Sequence, residues 1–181
     1  MNSREWRRSL IVSLAFCFSL FTIHCSLFTA VSAQDDDLAP PPLKIVTKED
    51  RTKLDSEVDP KAKTKLAVEM LKLRIDAAEK LNAKEDFAGM FRELGHFRGL
   101  LDYTLVFLAQ QDAKQNKSLD NYKRFELCLR AVAPRLETIR GDLPLRYEDY
   151  VRGLLIYIRE ARRKAIEPLF SDTVLPAEKP N

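Results

Sequence analysis

Glu93 and His96 stand three residues apart. That is the E-x-x-H spacing with which helical bundles hold iron when further carboxylates reach in from other helices. The chemistry requires both side chains on the inward face. If Leu94 marks that face, Glu93 points about 100° away from it and His96 about 160° away, so the pair does not converge on a core site. His24 and His96 are the two histidines of the chain, and there is no second E-x-x-H. Cys128 and His96 would be the nucleophile and base of a covalent mechanism, but no glycine-rich turn lies near either, and both read better as helix-packing residues. The five glycines form neither a G-x-G-x-x-G nor a P-loop. Gly95 and Gly99 are four apart, a spacing that lets another helix approach closely. Arg98 falls about 40° from Leu94, inside an apolar face. A buried arginine needs a carboxylate, and Asp76 or Glu79 across a helical hairpin could supply it. The expectation is therefore no catalytic residue, no metal and no cofactor, with Arg98, Asp76 and Glu79 as a buried ion pair.

These residues are carried by a helix from Asp86 to about Asp112 that is apolar on two sides. At ~100° per residue, Phe87, Met90, Phe91, Leu94, Phe97, Leu101, Leu105 and Leu108 share one broad face. His96, Leu100, Tyr103 and Phe107 make a second stripe opposite, at i, i+4, i+7 and i+11. A helix apolar all round is buried between neighbours, so this stripe is expected to be covered and is the candidate interaction surface. The first expectation for the cover is the flanking helices. The apolar island Leu43–Val46 folding back, or a second copy of the chain, are the alternatives.

Three more helices surround it. Asp59 suits an N-cap and Pro60 the first helical position of a helix to about Leu81, and Asn82–Glu85 is the turn between. So short a link makes the two helices antiparallel. Ser118 caps a third helix to about Arg140, with Pro134 inside it. The proline should kink the helix or split it, although Leu136 and Ile139 continue its apolar side. Gly141 is a natural stop. A fourth helix runs from about Leu145 to Ile166, and Pro168 helps to end it. No alternating strand pattern occurs. The chain thus reads as all-α, an up-down-up-down four-helix bundle over residues 59–170 with a C-terminal tail over 171–181.

Residues 1–33 read as a signal peptide. Arg4, Arg7 and Arg8 form a basic start, Leu10 to about Phe28 is apolar, and Val31-Ser32-Ala33 precedes Gln34 as a cleavage site. The apolar run approaches the length of a membrane span, so an uncleaved anchor is the competing reading. Ser13, Ser19, Thr22, His24 and Ser26 weaken it, and no lipidation box precedes Cys17 or Cys25. Cleavage removes three of the 30 basic residues and Glu5 from the 27 acidic ones, which leaves the mature chain near neutrality. Cys128 is then the remaining cysteine and reads as a small buried hydrophobe. Residues 34–58, with Asp35-Asp36-Asp37 and Pro40-Pro41-Pro42, have the composition of a flexible tail, in which Thr47 could cap one helical turn. Arg159, Arg162, Arg163 and Lys164 could meet nucleic acid or anionic lipid. Positive charge near a helix C-terminus is favourable in itself, and a near-neutral exported chain is not built for nucleic acid.

Residues 59–81 carry Asp59-Pro60, a basic stretch, Leu66, Leu73, Arg74, Ala78 and Glu79. This pattern resembles exported and membrane-attached helical proteins of bacteria. The resemblance implies a cell-envelope protein and brings no catalytic residues with it. The expected function is that of an exported, non-enzymatic interaction or structural module, periplasmic or extracellular, which binds an unknown protein partner or itself. Its membrane contact would come only through an uncleaved N-terminal segment. Two alternatives stand beside this reading: a metal-binding or catalytic bundle using His96 and nearby carboxylates, and a membrane-tethered sensor if residues 10–28 are not cleaved.

Overall fold

The computed structural model describes residues 38–113 and 119–171. The signal-peptide reading, the Asp35–Asp37 cluster, the Ser118 cap and residues 172–181 lie outside them. Among the described residues five helices follow in order: α1 Lys48–Ser56, α2 Pro60–Asn82, α3 Phe87–Ala113, α4 Leu119–Gly141 and α5 Leu145–Ser171. The chain is all-helical, with no strand among the described residues. No helix among them is long and apolar enough to cross a membrane.

Local chemistry sets the helix starts. The Thr47 side chain accepts from the Asp50 amide at 3.1 Å. Asp59 accepts from the Ala62 amide at 2.8 Å, ahead of Pro60, whose missing N–H costs nothing at this position. Asp86 accepts from the Gly89 amide at 2.9 Å. Between α2 and α3 the chain reverses through Glu85, held at φ 59°, a left-handed conformation that a residue with a Cβ adopts at some cost.

Pro134 neither splits α4 nor ends it; one helix runs from Leu119 to Gly141. The ring is exposed, so the backbone bond it removes faces water. Val132 and Leu136, on either side of it, are both buried, so the apolar side of α4 continues across the proline as Leu136 and Ile139 foretell. Pro168 likewise sits inside α5, which continues to Ser171 instead of stopping near Ile166.

The helices form two antiparallel hairpins. In α2/α3, Arg74 pairs with Glu93 and Lys63 lies over the Phe107 ring. In α4/α5, Arg162 pairs with Glu126 and Arg140 with Glu148. The hairpins meet like helix to like helix. Cys128 lies beside Val68 and Arg135 beside Asp76, so α2 and α4 run in the same direction. Phe91 meets Tyr147 and Tyr150, and Tyr157 reaches Asp102, so α3 and α5 do too. Leu71, Ile75, Leu94, Phe97, Phe125, Leu129 and Ile158 are fully buried among them. Burial at roughly 1.5–3 kcal/mol for each such side chain is what holds the hairpins together.

The segment expected as a flexible tail is packed from residue 38 onward. Residues 38–47 run extended along α3 and the start of α5, with the Ala39 amide donating to the Arg146 carbonyl at 2.9 Å. α1 then crosses onto α2 and α3 and buries Leu54 completely. Gly95 and Gly99 explain the fit. A Cβ on Gly95 would stand 2.4 Å from the Leu43 carbonyl oxygen, and one on Gly99 would stand 2.7 Å from the Ile45 carbonyl carbon. The close approach that this glycine spacing allows is made by an extended strap, not by a helix. The Leu43–Val46 island docks through its backbone, which leaves the side chains of Leu43 and Ile45 75% and 46% exposed.

Candidate functional site

Three elements enclose a cleft of about 530 Å³. The strap gives one wall through Pro40, Pro41, Pro42, Leu43 and Ile45. The outer face of α3 gives Ala88, Phe91, Arg92 and His96, and the first turn of α5 gives Arg146 and Tyr147. Tyr147 is clamped by Phe91, edge to face at 4.9 Å between ring centroids, and by Phe87 at 5.2 Å. The Arg146 guanidinium lies 5.2 Å from the Tyr147 ring centroid, within cation–π range.

Beside the cleft, α1, α2 and α3 share a charge network. The Arg74 guanidinium donates to Asp50 at 2.5 Å and to Glu93 at 2.9 Å. Burial alone would lower the pKa of Arg74, but the hydrogen bonds and charges of Glu93 and Asp50 outweigh it and raise it. Glu93 is thus turned to Arg74. Its Oε2 lies 3.9 Å from His96 Nδ1, too far for a hydrogen bond. That nitrogen is buried without a hydrogen-bond partner among the described residues. No group of three or more His, Cys, Asp or Glu side chains among these residues is placed to hold a metal ion.

The second stripe of α3 is covered residue by residue from different elements. Leu100 is fully buried, with the Ile45 backbone lying against the neighbouring Gly99. Tyr103 donates to Asp55 of α1 at 2.7 Å; burial first, and that bond second, push its pKa up to about 12. Phe107 is partly buried beneath Lys63 of α2. His96 lines the cleft. The cover of the stripe is thus shared: α1 meets Tyr103 and the flanking helix α2 meets Phe107, while His96 stands in the cleft wall beside the strap.

The expected ion pair is also rearranged. Arg98 does not meet Asp76 or Glu79. It pairs with Asp102 one turn along its own helix at 3.2 Å and stacks on Tyr157 of α5. Tyr157 also donates to Asp102 at 2.5 Å; burial and this bond raise its pKa to about 12. Asp76 and Glu79 both accept from Arg135 of α4, at 2.6 and 2.5 Å. The reason is angular: these two carboxylates share the side of α2 that faces α4, whereas Arg74 faces α3. In the basic cluster of α5, Arg162 is committed to Glu126, a carboxylate only 4% exposed, and Arg163 to Glu160. Cys128 is buried at 3% exposure; burial pushes its thiol up to about 11, more than Lys72 and Arg135 pull it down.

Sequence reasoning did not single out Arg92 and Arg146 at the cleft, nor Asp50 as a partner of Arg74. The one available signal was the coincidence of a triple proline with a glycine pair four residues apart. Compared with known proteins, the chain matches no family model, no curated protein and no solved structure.

Proposed function

We propose that this protein is an exported, non-enzymatic module of the bacterial cell envelope that works by holding a partner on the face where the strap crosses α3. In this reading its body is an up-down-up-down four-helix bundle, and residues 1–33 direct its export. The observation that carries the proposal is the presentation of Leu43 and Ile45. Their backbone is seated on two glycines of a rigid helix, and their apolar side chains point outward beside an apolar cleft. Apolar groups held out on a fixed backbone bind with little loss of conformational freedom, which is what a recognition surface needs. The export half rests on Arg4, Arg7 and Arg8, the apolar run and the Val31-Ser32-Ala33 site.

The test is site-specific cross-linking in the producing cells. A photoreactive residue at position 43 or 45 gives a discrete adduct, whereas one at position 73, on the exposed side of α2, gives none. An adduct of twice the chain's mass identifies the partner as a second copy. N-terminal sequencing of the exported protein begins at Gln34. Equal labelling from positions 43 and 73, or none from either, refutes the recognition surface.

A further inference from the structure

A groove of about 330 Å³ lies between α2 and α4 and shares no lining residue with the cleft beside the strap. Lys65, Val68, Glu69 and Lys72 line it from α2, at i, i+3, i+4 and i+7. Arg124, Leu127 and Cys128 line it from α4 with the same opening spacing, so each set shares one helix face. Cys128 Sγ lies 4.0 Å from the Val68 carbonyl oxygen. Both residues are buried and form the floor. Because α2 and α4 run in the same direction, Lys65 and Arg124, each about one turn before the floor, stand across the groove from each other. Burial pushes the Cys128 thiol up to about 11, which leaves the floor uncharged.

The walls do not balance their own charge. Lys65, Lys72 and Arg124 face the single carboxylate of Glu69, a net charge of +2. Arg124 Nε is buried with no hydrogen-bond partner among the described residues. The other arginines of α4 all have carboxylates: Arg130 has Glu126, Arg135 has Asp76 and Glu79, and Arg140 has Glu148. A charged donor left buried and unpaired is costly, and an anion in the groove relieves that cost. Leu127, about half-exposed, gives the groove an apolar rim. The volume stands at the small end of ligand sites, roughly 300–1,000 Å³.

We propose that this groove binds a phosphate monoester with a small apolar body. The phosphate, close to a dianion at neutral pH, matches the net charge of the walls. It lies between Lys65 and Arg124, where the guanidinium offers a planar fork and the ammonium a point charge. The body lies over Val68 and Leu127, against the uncharged floor. A free small molecule and a phosphatidate headgroup carry this chemistry alike. The site stands independently of the recognition surface at the strap.

The test is calorimetric titration of the full chain with phenyl phosphate at low ionic strength, where exposed charges are least screened. Phenyl phosphate binds one to one, roughly tenfold or more tighter than inorganic phosphate, which has no ring to bury. Arg124→Gln weakens it by roughly tenfold or more. Lys65→Gln, at an exposed position, weakens it too and serves if the first variant alters the circular dichroism. Glu69→Gln, also exposed, tightens it roughly two- to fivefold, a gain that a merely structural glutamate does not give. Phosphatidylcholine vesicles with and without phosphatidate distinguish the sources. Competition by the phosphatidate vesicles alone puts the ester on a lipid, and its absence puts it on a free molecule; both support the site. No binding of phenyl phosphate, an affinity equal to that of inorganic phosphate, or an affinity indifferent to all three substitutions overturns the proposal.

Discussion

Replacing Gly95 and Gly99 together by alanine separates the stability of the helices from the seating of the strap. A carbon normally approaches a carbonyl oxygen to about 3.3–3.6 Å. The Cβ added at Gly95 would stand 2.4 Å from the Leu43 oxygen, and that at Gly99 2.7 to 2.9 Å from the Ile45 backbone. The strap must lift by about 1 Å or α3 must yield. Forcing such overlap into a packed site costs roughly 1–3 kcal/mol. The strap is held by the Ala39–Arg146 backbone hydrogen bond, worth about 0.5–1.5 kcal/mol, and by the partial burial of Ala39 and Val46, whereas α3 is held by Met90, Leu94, Phe97 and Leu101 in the core, so the strap is the element that gives way. The helix meanwhile gains roughly 1 kcal/mol for each glycine replaced by alanine. The double variant should therefore resist urea as well as the parent or slightly better, while the amides of Ala39 and Ile45 lose protection from hydrogen exchange. α1 should stay docked, since Asp50 still meets Arg74 and Asp55 still meets Tyr103. Unchanged exchange at Ala39 combined with a fall in global stability would show that α3 absorbs the strain, and would refute the account of the strap as the softer partner.

Three further perturbations follow from the same structure. Glu85→Gly relieves a left-handed residue at φ 59° and should raise unfolding stability by about 0.5–1 kcal/mol; a loss of stability in denaturant titration would mean the Glu85 side chain matters more than its backbone. Glu126→Ala removes the buried acceptor of Arg130 and Arg162 and should cost roughly 1–3 kcal/mol, of which Glu126→Gln recovers part; two variants as stable as the parent would show the cluster to be energetically idle. For Cys128 the neutral thiol is the form the fold favours, because its pKa rises from 9.0 unfolded to about 11 folded. Its contribution is complete below pH 9.0, is lost as the pH climbs through about 11, and amounts to roughly 2–3 kcal/mol. Stability curves of the parent and of Cys128→Ala should thus run parallel below pH 9.0 and converge from there to about pH 11, and curves parallel throughout would contradict the burial argument.

What the sequence makes legible here is what depends on one helix at a time. Apolar periodicity and the Asp59-Pro60 start place α2, and the two-sided apolar pattern places α3 to within a residue or so of its ends. Pro168 does not stop α5, and Pro134 does not divide α4, the latter for a physical reason. A missing amide is costly where its partner carbonyl would be buried and cheap where it faces water, and the exposed ring of Pro134 puts that carbonyl on the wet side of α4. The ion pairs are less legible because they need two angles and a neighbour. The position of Arg98 relative to Leu94 says that it lies near the core side of α3. It does not say that α5, bearing Tyr157, is the helix beside it, or that Asp76 and Glu79 face Arg135 of α4.

The strap is the least legible element, because what seats it is an absence of side chains. Hydrophobic pattern detects side chains that seek burial, and Leu43 and Ile45 remain largely exposed; what docks is their backbone, against the bare surface of Gly95 and Gly99. Yet the two-sided helix required some such element. With Tyr103 tied to Asp55 and Phe107 beneath Lys63 of α2, the N-terminal segment supplies part of the cover that the second apolar stripe of α3 demands. The same ten residues form one wall of the cleft. Lifting them therefore opens the cleft and also strips Ala39 and Val46 from the core against which they pack.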